Sequence, residues 1–391
     1  LKLSEKVNNL KLWLNDKLSG KSEIEMHTIE DLEEHAEIPE AYLAKFSLDA
    51  VKDPTALLGR DEELQLVEKA YSNWKISKNL LLMVGETGAG MSSIINVATT
   101  NIENVITIKN SQNISAHSDL LNILSEKLGV SNCQKLAELH TVVSQEPRVI
   151  VFENIERLFI RTINGFNLLD EFLLLMHNTK HHIFWIVTVN KYSFYYLNQV
   201  KAIAENFLSL IRVNPLKNNI VQQVMDERNK SNQNYYLKPL LAAKSYYKKL
   251  KKEDITKVQA MLEERFKKNL LAFADGNLSR AMLYWKKAIV RVSETKVYIR
   301  EISSIKVPNL TLDELFILDA ILQHTSLSAT ELKKVLRNSE RASTLTLEKL
   351  KERDLIVAMD FKNTEHEYRI NLFYLNEVVV MLKERLNRKF V

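Results

Sequence analysis

The fold of this chain turns on one stretch, Gly85-Glu86-Thr87-Gly88-Ala89-Gly90-Met91-Ser92-Ser93. It follows an apolar run, Leu80–Val84, and opens onto an amphipathic stretch, Ser92–Thr100. That is a buried strand, a glycine loop and a helix start, the context in which such a loop acquires meaning. Three of the 8 glycines of the chain are concentrated here, at the spacing of the Walker A frame. Glycines let successive backbone N–H groups curl round a phosphate, and the helix N-terminus adds partial positive charge. The Ser92 hydroxyl is placed to ligate Mg²⁺. One position departs from the frame: Met91 stands where a lysine normally reaches the β- and γ-phosphates, and it brings no charge to a transition state. Met91 reads either as a replaced lysine in a deliberately silenced loop or as part of a naturally degenerate one.

Working outward, short apolar runs alternate with helical patterns. The runs Leu80–Val84, Val105–Ile108, Val149–Phe152, Ile183–Val189 and Leu208–Val213 read as buried strands. Helices are expected at Ser92–Thr100, Ser118–Leu128, Gln134–Ser144, Phe166–Asn178 and Tyr195–Asn206. This βα alternation predicts a three-layer α/β domain with a parallel sheet. An acid ending a strand is the next requirement of a phosphate site, and Val149-Ile150-Val151-Phe152-Glu153-Asn154 supplies it. Glu153 is placed to hold Mg²⁺ jointly with Ser92. Asn154 falls where an activating glutamate would polarise water, a task an amide cannot perform. Glu156 substitutes only if the turn bends it back; otherwise it is a surface acid at a helix start. Asn190, ending Thr188-Val189-Asn190, is placed to orient water or the γ-phosphate. Arg280, in Gly276-Asn277-Leu278-Ser279-Arg280, can reach the phosphates from a second domain or be a solvated helix residue.

After Pro215 the pattern turns helical, at Asn218–Lys230, Lys238–Lys249, Lys257–Phe273 and Ser279–Val292, and an all-α lid is expected. From Pro308 the chain reads helix (Leu312–Gln323), helix (Ser328–Leu336), helix (Ser339–Arg353), strand (Leu355–Asp360), a turn at Asn363, strand (Glu367–Ile370) and a last helix from Asn376. Three helices and a hairpin predict a winged helix. Its third helix, Ser339–Arg353, the one placed for recognition, presents a mixed face: Glu340, Glu348 and Glu352 stand beside Arg341, Lys349, Lys351 and Arg353. Such a face suits protein contacts as well as nucleic acid.

Together, Leu58-Gly59-Arg60-Asp61-Glu62, the glycine loop, the strand ending at Glu153, Asn190 and Gly276-Asn277…Arg280, followed by a winged helix, resemble the AAA+ and STAND-type P-loop ATPases. The plan is most similar to that of the origin-recognition ATPases, and the resemblance covers 58–391. It implies ATP or ADP with Mg²⁺ as ligands. It also implies that Arg60 lies by the adenine, that Asn190 is the sensor at the strand end and that Arg280 is the sensor of the lid. Gly85, Glu86, Thr87, Gly88, Ala89, Gly90, Met91, Ser92 and Ser93 would form the nucleotide loop, and Glu153, Asn154 and Asn190 the catalytic positions. Met91 and Asn154 depart from the family at the catalytic positions themselves, so hydrolysis is expected to be impaired and nucleotide binding retained. Arg212 has a position compatible with an arginine finger, and equally with an ordinary strand residue.

Length and composition set the outer bounds. The chain has 391 residues, which at roughly 100–200 per domain asks for several domains. The expected division is 1–50, a helical adaptor; 51–215, the α/β core; 216–307, the lid; and 308–391, the winged helix. A single cysteine, Cys133, excludes an intrachain disulfide or a Cys-based zinc site and suggests a reducing compartment, the cytoplasm. Apolar runs are too short for a membrane span. Because the chain opens at Leu1, an upstream segment is expected. The net charge of +5 is unevenly spread: residues 1–50 hold 6 basic against 11 acidic groups, and residues 216–306 hold 20 against 9. This sorting suggests a solvated face, a nucleic-acid contact or head-to-tail assembly with other protomers. His177, His181 and His182 lie close in sequence without carboxylate or cysteine at ligand spacing. The cluster Tyr192, Phe194, Tyr195 and Tyr196 reads as sheet-on-helix packing. The function that best fits is a nucleotide-binding switch that controls assembly of a larger complex. An active ATPase silenced at Met91 and a DNA-recruiting subunit are the alternatives.

Overall fold

Leu81, Leu82, Met83 and Val84 send apolar side chains alternately to both faces of a strand, and in the computed structural model all four are buried. A strand buried on both faces belongs in the interior of a parallel sheet. Accordingly β1 (Leu81–Gly85) lies inside a five-stranded sheet with β2 (Val105–Lys109), β3 (Arg148–Glu153), β4 (Ile183–Asn190) and β5 (Ser209–Arg212), in the order β2-β3-β4-β1-β5. All pairings are parallel. The five expected strands are all present, with ends shifted by a residue or two. The structure describes residues 38–114, 116–130, 136, 138, 139, 148–230, 232–237, 255–293, 295–302, 307, 309–337, 339–359 and 365–388. Residues 1–37 of the expected adaptor, the expected helix at Lys238–Lys249, Cys133, Pro308 and the turn at Asn363 lie outside them, as does most of Gln134–Ser144.

Alternation along the strands builds two cores. Leu82, Val84, Ile150, Phe152, Trp185, Val187 and Val189 face α4 (His117–Leu128) and α5 (Asn167–Thr179), through Leu120, Leu124, Phe172 and Met176. Leu81, Met83, Val149, Val151, Phe184 and Ile186 face the other way, against α2 (Asp61–Ser77) and α3 (Met91–Ala98). The result is helix, sheet, helix. In α2 the spacing of Val67, Ala70 and Trp74 makes one buried stripe. Three acids in its first turn, Asp61, Glu62 and Glu63, complement the helix dipole, and Lys78 in the left-handed region ends it. A further helix, α6 (Lys191–Lys201), starts directly from β4 because Asn190 caps it, accepting from the Tyr192 N–H at 2.9 Å. The sequence placed this helix at Tyr195–Asn206; it begins earlier and gives way to a 3₁₀ turn at Ile203–Asn206.

Beyond Pro215 the expectation of an all-α lid is corrected. Helices α7 (Asn218–Arg228), α8 (Ile255–Ala274) and α9 (Leu278–Ala288) are joined by β6 (Gln233–Tyr236), β7 (Ile289–Val292) and β8 (Lys296–Ile299), which form a sheet in the order β6-β8-β7. The helix read over Ser279–Val292 ends at Ala288. Ile289, Val290 and Val292 are β-branched, lose rotamer freedom in a helix and settle on the pleated surface instead. The described end of segment 1–50 packs into the lid core. Tyr42, in α1 (Glu40–Ala44), donates its hydroxyl to Asn229 Oδ1 at 2.6 Å, and Phe46 stacks on Trp285 at 5.6 Å. Gly276 ties lid to core: its carbonyl accepts from the Leu216 N–H at 2.9 Å, and its φ is +72°. A Cβ there would meet Pro215 Cβ at 2.5 Å and the Leu216 carbonyl at 2.6 Å. Gly276→Ala is expected to lose about 1–2 kcal/mol from the left-handed backbone alone, read as a lowered urea midpoint; an unchanged midpoint would show that this junction yields.

The remaining elements are α10 (Leu312–His324), β9 (Leu327–Ser328), α11 (Ala329–Leu336), α12 (Glu340–Glu352), β10 (Ile356–Met359), β11 (Glu367–Ile370) and α13 (Leu375–Leu386). The strands form an antiparallel sheet, β10-β11-β9. Capping boxes fix two helix starts, Thr311 with Glu314 and Ser328 with Glu331. Several charges of α12 are engaged internally: Glu340 with Lys333, Glu348 with Tyr368 and Lys351, and the following Arg353 with Glu314. No described helix is long and apolar enough to cross a membrane, and no metal-holding cluster of His, Cys, Asp or Glu occurs among the described residues.

Candidate functional site

Parallel pairing sets β1 beside β4 with Gly85 opposite Asn190, so the glycine loop leaves the sheet next to the residue that ends the neighbouring strand. The loop then bends through Gly88 and Gly90, at φ +83° and +92°, conformations open to glycine at no steric cost. Ala89 N–H donates to the Glu86 carbonyl at 2.9 Å, and α3 begins at Met91. Around Gly90 the position of a Cβ is open space. At Gly88 the same construction meets Ser279 Cβ at 2.6 Å and Asn277 Oδ1 at 2.9 Å, so the lid sits directly on the loop.

Residues named from sequence fall into three groups. Ser92 and Glu153 come together: the hydroxyl donates to Glu153 Oε2 at 2.7 Å, on a carboxylate that is buried. Asn190, Thr87, Glu86 and Arg280 also meet. Asn190 Nδ2 donates to Thr87 Oγ1 at 2.9 Å, and Arg280 Nη2 lies 3.5 Å from Glu86 Oε2. Arg280 is 2% exposed, so the solvated-helix reading is excluded. Its Nε donates to the Ala274 carbonyl at 3.0 Å, and its Nη1 donates to Asn376 Oδ1 of α13. Met91 folds back over the end of β1, its sulfur 2.8 Å from where a Cβ on Gly85 would stand.

A second group supports the loop from behind. Arg60 is buried and gives Nη2 to the Ala89 carbonyl at 2.9 Å and Nη1 to the Asn214 carbonyl at 2.7 Å, with Glu63 Oε1 at 2.8 Å. Burial pushes its guanidinium below its ordinary pKa, against the pull of Glu63. Ser93 Oγ accepts from the Val51 N–H at 3.0 Å and so tethers the segment before the core.

The third group points away. Asn154 adopts φ +67°, donates its N–H to Thr188 Oγ1 at 2.9 Å and its amide to the Asn110 carbonyl at 2.9 Å. Glu156 is not on the surface: its carboxylate is buried between Thr325 and the backbone of Asn190. It is 1% exposed and accepts from Thr325 Oγ1 at 3.1 Å, and desolvation raises its pKa. Arg212 is exposed, its guanidinium carbon 5.3 Å from the Phe194 ring centroid.

Two contributors escaped the sequence reading. Tyr192 was assigned to packing, and it does belong to a buried cluster, but its hydroxyl donates to Glu86 Oε1 at 2.6 Å. Desolvation, with Glu86 beside it, raises that hydroxyl's pKa strongly. Its place two residues after Asn190 was the available signal. Asn277, quoted only as part of a motif, caps α9 through the Arg280 N–H and donates Nδ2 to the Thr87 carbonyl at 2.9 Å.

Behind β3 lies a buried polar junction with the C-terminal elements. Arg157 Nη1 meets Glu367 Oε2 at 3.1 Å, Asn113 Oδ1 at 3.0 Å and Ser326 Oγ. Asn113 bonds Glu367, Glu331 and the Ser326 carbonyl in turn. His324, fully buried, stacks on Phe159, with Nδ1 2.8 Å from the Ala320 carbonyl and Nε2 accepting the Arg161 N–H at 3.0 Å. Only the neutral ring protonated on Nδ1 satisfies both partners. Burial lowers its pKa to about 4, and Arg161 and Arg157 add to the effect. The unfolded ring titrates near ~6.5, so the unfolded chain binds the proton more readily. The contribution of His324 is complete above pH ~6.5 and is lost as pH falls towards 4. Glu156 works in the opposite sense, so the difference between wild type and His324→Gln isolates the histidine. Urea stability is expected to fall more steeply between pH 7 and 5 in wild type; parallel curves would contradict it.

No family model matches this chain, and no curated protein does. Among solved structures it is similar to Cdc6p from Pyrobaculum aerophilum, at 12% identity and TM-score 0.44, over 90% of this chain and 100% of that one. It is also similar to the Aeropyrum pernix ORC1 protein, solved in complex with DNA, at 13% identity and TM-score 0.44, over 88% and 96%. The Walker-type ATPase PABY2304 of Pyrococcus abyssi matches at 14% identity and TM-score 0.40, over 86% and 99%. At these scores the likeness carries no weight for function, which is read below from the residues of this chain.

Proposed function

We propose that this chain is a nucleotide-binding switch: it takes ATP or ADP between the α/β core and the lid, and phosphate occupancy sets the lid angle and thereby the assembly of a larger complex. The observation that carries this reading is the direct bonding of lid to loop, Asn277 to Thr87 and Arg280 to Glu86. A ligand that enters the loop must rearrange groups that also hold the lid, which is the physical basis of a hinge switch. The open space at Gly90 and the positive φ of Gly88 and Gly90 fit a backbone phosphate cradle. The adjacent hydroxyl and carboxylate of Ser92 and Glu153 fit a Mg²⁺ ion that keeps several waters. When bound, that ion neutralises phosphate charge. Hydrolysis is impaired in this reading because Met91 supplies no cation and Asn154 is bonded elsewhere.

The test is titration of the full chain with a fluorescent ATP analogue, with and without Mg²⁺, for wild type, Ser92→Ala and Arg280→Ala. Ser92→Ala should weaken binding only when Mg²⁺ is present, and Arg280→Ala should weaken triphosphate more than diphosphate. Absence of binding to wild type and to Met91→Lys alike would sink the reading.

A further inference from the structure

Three donors from two parts of the fold converge on one carboxylate. Tyr192 Oη stands 2.6 Å from Glu86 Oε1, while Asn277 Nδ2 and Arg280 Nη2 stand 3.4 and 3.5 Å from Glu86 Oε2. The three side chains are buried, each at most 4% exposed. Asn277 turns its amide nitrogen to the carboxylate because its oxygen is committed to the Arg280 N–H at 3.2 Å. A phenol hydroxyl, an amide NH₂ and a guanidinium make an oxyanion cradle, and its occupant is the second residue of the phosphate loop.

A phosphate seated on Arg280 competes with Glu86 for the same Nη2, which also lies 4.0 Å from the exposed carboxylate of Asp275; like charges at such range repel, most strongly for the buried Glu86 contact where water is scarce. We propose that Glu86 is a built-in competitor: it fills the cradle of Tyr192, Asn277 and Arg280, and a nucleoside triphosphate seats fully only by displacing it with its terminal phosphate. The inference rests on the nucleotide reading above and adds a discriminating residue to it. A diphosphate, shorter by one phosphate, leaves Glu86 in place. Because the same guanidinium holds Asn376 of α13 and the Ala274 carbonyl, the exchange of carboxylate for phosphate reaches the C-terminal elements through one side chain.

The experiment compares wild type, Glu86→Gln, Glu86→Ala and Tyr192→Phe as full chains, titrated with the fluorescent ATP analogue and with the matching ADP analogue. Glu86→Gln keeps the shape and an acceptor for Tyr192 while removing the charge. It should tighten triphosphate binding on the order of tenfold and change diphosphate binding much less. Tyr192→Phe removes one donor from carboxylate and phosphate alike, so it should change triphosphate affinity much less than Glu86→Gln does. Triphosphate affinity that is unchanged or weaker in Glu86→Gln, with wild type binding normally, overturns the proposal. If no variant binds either nucleotide, the nucleotide reading fails, and inorganic pyrophosphate then decides the cradle separately. A rise in melting temperature with pyrophosphate in Glu86→Ala and not in wild type supports it; no shift in either overturns it.

Discussion

Met91→Lys tightens binding of an ATP analogue by roughly 10- to 100-fold, the worth of one charge-assisted hydrogen bond to a phosphate. The Met91 side chain already folds back over the end of β1 against Gly85, so an unbranched chain of similar reach follows the same path and brings an ammonium to the loop. Turnover, followed as phosphate release, should nevertheless stay low, because Asn154 is fixed on Asn110 and Thr188 and Glu156 is buried beneath Thr325. Neither can take a proton from water at the loop. Rapid turnover in Met91→Lys would overturn this account and identify the methionine as the only lesion. Replacing Asn154 by glutamate as well carries a cost of its own, about 1 kcal/mol or more, since the position is left-handed and asparagine tolerates that region better.

The other large effect concerns stability. Arg157→Ala should cost about 3–5 kcal/mol, the usual loss when one partner of a buried ion pair is removed. The guanidinium neutralises Glu367 and orients Asn113 and Ser326, all within the buried junction. Without it Glu367 is left as an uncompensated buried anion close to Glu331. Urea unfolding measures the loss, and limited proteolysis shows where it acts, with cleavage expected first between lid and C-terminal elements. A combined Arg157→Met, Glu367→Met chain should recover part of the stability, because an apolar pair of similar volume has no charge to desolvate. A loss under about 1 kcal/mol in Arg157→Ala would show that the pair is solvated in solution.

Much of the core was legible from sequence for a physical reason. Strands buried on both faces must be continuous apolar runs, and a loop that curls its backbone round an anion must be rich in glycine. Leu81–Gly85 and Gly85–Ser93 satisfy both conditions over a few adjacent residues. The lid strands were not legible, since Ile289–Val292 follows a helix without a break residue and Lys296–Ile299 is short, so local pattern cannot separate them from the helix before. The site was legible position by position but not in its partnerships. Arg280 and Glu86 are far apart in the chain, and nothing local announces that one neutralises the other. Glu156 looked like a surface acid because its cover, Thr325, arrives from another part of the fold.

The order of strands in the central sheet also bears on how the chain is made. β1 is flanked by β4 and β5, and Leu81 pairs with Ile186 and Ser209. During synthesis the strand that carries the loop therefore emerges with neither neighbour yet available. Between Gly85 and Asn190, where the first of those neighbours ends, lie about 105 residues, which at ribosomal rates of ~5–20 residues per second is roughly 5–21 s of waiting. For that interval Leu81–Val84, among the most apolar segments of the chain, has no sheet to join. Such long-range parallel pairing makes for slow folding and exposure to aggregation, so nascent chains paused before β4 are the species a chaperone would meet.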